Sequence, residues 1–184
     1  YFIQRHVHLD HHRHLNEPGQ DPNEVYAGGP LWELPLRYWR LASAARKAVA
    51  DDPRTSAMKR SDTFFLLLVL GIWGAAIFTG TFTALVFAWL LPFVIAKVVM
   101  DIYINYLPHV GLPPDRYRGT RVIDVSWLTP LVLAHNYHAI HHLWPAIPWH
   151  GYKARFEKKQ SELREKGVPI EKRVFAARAG RSRG

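Results

Sequence analysis

The sequence predicts an all-α integral membrane domain: a helical hairpin of two spans beneath a cytoplasmic helical cap that carries clustered histidines. Three observations predict it. Residues 63–100 form one apolar run with no charge before Lys97. Histidine, at 11 of 184 residues, gathers towards the two ends of the chain. Cysteine is absent, so neither a disulfide nor a thiolate site organises the fold. The length suits a single domain over residues 1–184, and no internal repeat is visible.

Residues 1–29 are polar and histidine-rich, and they close in a loop marked by Glu17-Pro18-Gly19 and Gly28-Gly29-Pro30. Residues 31–60 read as an amphipathic stretch, with Leu31, Trp32, Leu34, Leu36, Tyr38, Trp39 and Leu41 set among Arg37, Arg40, Arg46 and Lys47. Trp and Tyr beside Arg suit a membrane interface. One span needs about 20 apolar residues, and the run that follows is nearly twice as long. Thr79-Gly80-Thr81 supplies a turn near its middle, which gives spans 63–78 and 82–100 with a kink expected at Pro92. A hairpin returns the chain to the side it left. Arg54, Lys59 and Arg60 precede it, and Lys97, Arg116, Arg118 and Arg121 follow, so both flanks are expected on the cytoplasmic side.

Residues 127–134 are too short to span and are expected in the interface or along a cavity. Residues 152–166 read as a surface helix with Glu162 and Lys166 as an i,i+4 pair. Residues 167–184 lack periodicity and read as a basic flexible tail. Of the formal net charge of +9, the segment from Lys153 onward supplies +7, from 11 Lys and Arg against 4 Asp and Glu. A basic end beside an apolar hairpin points to anionic lipid headgroups. Aromatic residues are not interleaved with these charges as a base-stacking platform requires, so no nucleic acid partner is expected.

The chemistry lies in the histidines. His8, His11 and His12 have the spacing H-x-x-H-H, and His138, His141 and His142 repeat it. Positions i, i+3 and i+4 of a helix share one face, so each triplet aims three imidazoles into one volume. The hairpin brings both triplets to one side of the membrane. Asp101, Asn105 and His109 form a further i, i+4, i+8 stripe at the end of the second span, although Pro108 disfavours helical geometry at Leu107. His109 is a candidate ligand, and Asn105 a direct or water-mediated one. Asp21 and Asn136 are candidates to accept a ring N–H from a ligating imidazole. His135, His6 and His14 flank the triplets as neighbours or solvated rings, and His150, after Pro148-Trp149, reads as interfacial. Without thiolates, such a ligand set favours iron, zinc, copper or nickel over calcium. Seven imidazoles exceed one tetrahedral zinc site and suit two octahedral metals.

The run His8-Leu-Asp-His-His-Arg-His-Leu-Asn16, with Asp21-Pro22 after it, resembles the second histidine box of the membrane fatty acid desaturase and carotenoid oxygenase superfamily. Asn136-Tyr-His-Ala-Ile-His-His-Leu-Trp-Pro-Ala-Ile-Pro148-Trp resembles its third box, and Tyr106-Leu-Pro-His109, Asp115-Arg116-Tyr117 and Thr120-Arg121 resemble the segment between. The wording is closest to the bacterial β-carotene hydroxylases. The resemblance, over residues 1–155, implies two iron ions held by His8, His11, His12, His109, His138, His141 and His142. It also implies O2 as co-substrate, a lipid substrate and an electron donor such as a ferredoxin or cytochrome. The family has an earlier box, H-x-3–4-H, which this sequence lacks. With Tyr1 in first place, an N-terminal truncation is expected.

Three other readings compete. An acyl-lipid desaturase uses the same site. A histidine-rich membrane protein that binds or transports metal without oxygen chemistry is the second, and an inactive fragment, given the missing first box, is the third. A transporter should carry ionisable groups inside its spans, and residues 63–96 contain none. No Ser-His-Asp set, phosphate-cradling Gly-rich loop or cysteine nucleophile is present.

Overall fold

A computed structural model describes residues 2–27, 29–34, 36–37 and 56–174. The order is α1 (Phe2–Arg13), α2 (Glu24–Ala27), a 3-10 turn (Leu31–Glu33), α3 (Ser56–Phe78), α4 (Phe82–Leu85), α5 (Leu91–Asp101), β1 (Val122–Ile123), α6 (His138–Leu143), α7 (Tyr152–Glu165) and β2 (Ile170–Glu171). Helix dominates, as expected. Most of the amphipathic stretch over 31–60 lies outside the described residues, as does the tail beyond residue 174.

Lys59–Phe78 and Phe82–Tyr106 are both long and apolar enough to cross a membrane. At 1.5 Å per residue, 20 residues rise about 30 Å, the thickness of a hydrocarbon core. Their side chains point outward: Phe64, Leu67, Ile77, Phe78, Phe87 and Phe93 are all exposed. Contiguous apolar surfaces of this size are rare on soluble monomers and mark sites of contact with membrane or protein. The two helices meet near their turn, where Gly80 takes a positive φ of 71° and Trp73 packs on Phe82 and Trp89 at ring separations of 5.5 and 5.7 Å.

The second long helix runs to Tyr106 rather than ending near 100, and its prolines explain how. A proline ring collides with the carbonyl four residues back and offers no N–H to it. Both prolines here follow a widened, π-helical turn: Val86–Leu90 precedes Pro92, and Ile102–Tyr106 precedes Pro108. The Leu107 amide donates to the Ile102 carbonyl at 2.8 Å, an i→i+5 bond that opens the turn, and Leu107 stays helical at φ −58°, ψ −38°. The expected break before Pro108 is therefore absorbed, and the helix carries the chain to His109.

Among the described residues, two apolar cores organise the segments outside the two long helices. One gathers Tyr137, Ala139, Ile140, Leu143, Tyr152, Phe156 and Leu163 from α6 and α7 and the turn before α6. The other gathers Tyr106, Leu107, Val110, Leu128 and Val132 at the end of the second long helix, with Tyr26 and Leu34. Strand β1 joins them, because successive strand residues face opposite ways: Val122 enters the first core and Ile123 the second. β1 pairs in parallel with β2, Val122 with Ile170 and Ile123 with Glu171. The reading of residues 167 onward as unstructured is thus corrected at its start. Val168 is buried and Val174 packs on the second core. A two-residue strand carries too short a pattern to be recognised alone.

Candidate metal centre

Helical spacing sets the first triplet. On α1, Val7 and His11 are one turn apart and both buried, while His8 and His12 form the adjacent half-buried row. On α6, Ala139, Ile140 and Leu143 enter the apolar core, which turns His138, His141 and His142 the other way. α6 is preceded by Leu133 and Ala134, both at positive φ (48° and 56°). That geometry is costly for side chains with a Cβ, and core burial of Val132, Ala134 and Tyr137 holds it in place.

The imidazoles converge in two groups. The Nε2 atoms of His8, His12 and His141 lie 3.0 to 3.2 Å from one another. Each ring nitrogen carries either one proton or one lone pair in its plane, so the three mutual contacts cannot all be hydrogen bonds, whereas a cation at their centre would accept three lone pairs. With bonds of about 2.1 Å at right angles, a metal would separate such nitrogens by about 3.0 Å. The second group is His11, His109 and His142, whose ligand atoms, like those of the first, all lie within 4.8 Å of each other. His138 adjoins it, with its Nε2 3.1 Å from that of His142. The rings of His12 and His142 stack at 4.2 Å and join the groups into one cluster.

Burial favours the neutral form of His8, His12, His109, His138, His141 and His142. Desolvation, then the positive charge of neighbouring imidazoles, pulls His12 down to about 4 and His141 to about 3. The same causes lower His8, and they hold His109, His138 and His142 well below the ordinary imidazole value. Neutral imidazole is the metal-binding form. Both ring nitrogens of His109 and Nδ1 of His138 are buried without a hydrogen-bond partner. Buried polar atoms rarely stay unpaired, and a metal would satisfy one of the two nitrogens of His109. The donor set therefore fits a metal centre with nitrogen ligands.

The Asp21 carboxylate accepts His11 Nδ1–H at 2.8 Å and the backbone amides of Asn16 and Asn23 at 2.7 Å each. An acceptor-only partner at Nδ1 leaves the Nε2 lone pair free to face the cluster. Asn136 is placed differently: its amide donates to the Ile123 carbonyl at 2.9 Å and to Thr129 Oγ1 at 3.2 Å, which ties β1 to the turn before α6. Asn105 donates to Asp101 Oδ1 at 2.9 Å, and Asp101 also pairs with Lys97. Of the expected stripe, only His109 joins the imidazoles, because the π-helical turn changes the register between Asp101 and His109. His135 lies at the edge, 6.3 Å from the His141 ring, with Nδ1 directed to the carbonyls of Val132 and Leu133. His14 bonds Glu17, and His150 is exposed beside Trp149.

Sequence reasoning missed Tyr152, whose hydroxyl lies 2.9 Å from His141 Nδ1. The available signal was the apolar stripe Tyr152, Phe156 and Leu163 on α7, which marks a buried face where a surface helix was expected. An open cavity of about 470 Å³ reaches the cluster at His12 and His142, with Arg13, Glu17, Asp115 and Arg116 among its walls beside Leu15, Leu143 and Pro145.

A family model described as fatty acid desaturase matches residues 1–173. A curated relative, a beta-carotene ketolase of Paracoccus sp. (strain N81106 / MBIC 01143), is 29% identical over 153 residues, covering 77% of this chain and 52% of the relative. The chain thus spans about half the length of the curated relative it matches. No solved structure matches it.

Proposed function

Because the chain belongs to the fatty acid desaturase family, we propose that it forms part of a membrane oxidase that uses two iron ions and O2 to oxidise a lipid C–H bond. The observation that carries this reading is the convergence of three Nε2 atoms at 3.0 to 3.2 Å beside a second imidazole group. His8, His12 and His141 would hold one iron, and His11, His109 and His142, with His138, the other. When bound, the irons supply oxygen activation and accept the electrons that a donor delivers.

The chain's own residues do the rest. The outward apolar faces of α3 and of the helix from Phe82 to Tyr106 bring the cap to the bilayer, where a lipid substrate is dissolved. Asp21 fixes the proton of His11 on Nδ1. The buried rings of His11, His109 and His138 keep water from the inner side of the cluster, which protects a reactive centre from side reactions. The excess of Lys and Arg from Lys153 onward supports an acidic electron donor such as a ferredoxin, or a cytochrome, on the same face. In this reading both ends of the hairpin face the cytoplasm. Cysteines placed at Ser61 and Gly111 should then label from the same side of sealed vesicles, and labelling from opposite sides would sink the topology.

The substrate class we favour is a carotenoid, from the ketolase relative and the hydroxylase-like wording of the boxes. Acyl-lipid desaturation is the second reading, carried by the family description. The test is to express the complete protein with a reducing system in membranes that contain β-carotene and acyl lipids. Mass analysis then separates the outcomes. Hydroxylation adds one oxygen atom, ketone formation replaces two hydrogens with oxygen, and desaturation removes two hydrogens. Absence of bound iron together with unchanged lipids would defeat the proposal.

A further inference from the structure

We propose that Tyr152 is a positioning residue for His141: it holds that imidazole in the orientation and tautomer that present Nε2 to His8 and His12. The inference rests on the metal-centre reading above and adds to it a residue outside the histidine motifs.

An imidazole has two nitrogens, and in the neutral ring only one is an acceptor. His141 Nε2 faces His8 Nε2 and His12 Nε2 at 3.0 Å each. For Nε2 to offer a lone pair there, the proton must sit on Nδ1. The atom opposite Nδ1 is the Tyr152 hydroxyl oxygen at 2.9 Å, so Nδ1–H donates and the phenol accepts. The opposite arrangement would place a proton on Nε2, aimed into two other ring nitrogens. His141 is only half-buried and needs a fixed partner to stop rotation about its own side-chain bonds.

Tyr152 is built to be that partner. It is buried within the apolar core formed with Tyr137, Phe156 and Leu163. It opens α7 directly after Gly151, where an added Cβ would meet Ile147 Cγ2 at 2.9 Å, so the chain enters the helix along a tight path. The His135 ring stands edge-on to Tyr152 at 5.8 Å. The phenol is also a neutral acceptor. It orients His141 without adding the full negative charge that Asp21 brings to His11. One imidazole group is therefore supported by a carboxylate and the other by a phenol, so the two metal positions differ in their electronics.

The experiment is a cobalt(II) titration of the metal-free, full-length protein in detergent, followed by ligand-field absorption. In the wild type two ions should bind. Tyr152→Phe keeps the ring in the core and removes only the hydroxyl. It should weaken one of the two ions about 10–100-fold and change that ion's absorption, as loss of an outer hydrogen bond to a ligand does. Incorporation of 3-fluorotyrosine at position 152 should restore the affinity yet shift the same band, because fluorine withdraws charge from the phenol oxygen. Wild-type affinity and spectrum for both ions in Tyr152→Phe would overturn the proposal. So would an equal loss at both positions combined with a fluorotyrosine protein spectrally identical to wild type, since that is the signature of a purely structural tyrosine. A wild-type protein that takes up no cobalt would instead defeat the metal-centre reading itself, and the role of Tyr152 with it.

Discussion

The two imidazole groups are built from the same residue type but are supported differently. His8, His12 and His141 are half-buried, draw on one row of α1 and one residue of α6, and lean on a neutral phenol. His11, His109 and His142 lie deeper, draw on three separate elements, and lean on a carboxylate that is itself held by two backbone amides. The difference teaches that ligand type does not fix a site's character; the atoms behind the ligands do. A buried, carboxylate-backed imidazole is a stronger electron donor than a half-exposed, phenol-backed one. The deeper position should bind its metal more tightly and release it last.

The comparison breaks most sharply when one group loses a member. His141→Ala and His11→Ala, each in the complete protein, should both abolish turnover, and each should lower bound iron. His150→Ala, an exposed ring, should change neither. Iron analysis beside the product assay checks this, and full activity in His141→Ala would leave only a histidine-rich membrane protein.

A smaller effect separates the supports. Asp21→Asn keeps the shape but replaces an acceptor-only carboxylate, and it should weaken metal binding about 10–100-fold. Because Asp21 also accepts the amides of Asn16 and Asn23, the substitution should cost on the order of 2 kcal/mol of stability as well. Thermal unfolding of the metal-free protein measures the second effect apart from the first.

Acidity probes both groups together. His12 and His141 are lowered to about 4 and about 3 in the folded chain, from an ordinary 6.5. A lowered folded value means that the unfolded chain takes up protons between those limits and the folded chain does not. Stability is therefore full above about pH 6.5 and falls as the pH drops towards 4 and 3. Protons compete with metal for the same nitrogens, so metal should be lost in the same direction. A melting temperature of the metal-free protein that stays flat from pH 7 to pH 5 would mean that the rings are solvated rather than buried.

A perturbation with the smallest effect on the difference between the groups lies outside both. Asn16, at φ 56°, donates its side-chain amide to the Gly119 carbonyl at 2.7 Å and so clamps the loop after α1 onto residues 112–119. A Cβ at Gly119 would meet the Asp115 carbonyl oxygen at 2.4 Å and Leu15 Cδ2 at 2.9 Å. Gly119→Ala should cost about 1–3 kcal/mol by overpacking. Calorimetry should show the lower unfolding temperature, with both metal positions shifted alike because the clamp supports α1 as a whole.

How much of this the sequence disclosed follows from range. The triplets were legible because i, i+3 and i+4 spacing is a local rule, and the hairpin was legible because apolar length and charge are local counts. Asp21 was within reach as an acid in the loop that follows α1. Tyr152 was not, because its approach to His141 depends on a path through Pro145, Pro148 and Gly151 that no periodicity encodes. Asn136 was misplaced for the same reason: an amide beside a ligand motif can face the metal or the backbone, and here it holds Ile123. The register of Asp101, Asn105 and His109 assumed a regular helix, and the widened turn before Pro108 changed it.

The parallel pairing of β1 with β2 has a consequence for how the protein is made. His8 and His141 meet across 133 positions of sequence. The strand that joins the two cores around the cluster is completed only by Ile170 and Glu171. Chains emerge from the ribosome at about 5–20 residues per second. The first triplet must therefore wait several seconds, with its imidazoles open, before its partners exist. The pairing of β1 with β2 therefore forms only after all seven clustered histidines have been translated, and the two cores close around a set of imidazoles that is already present in the chain.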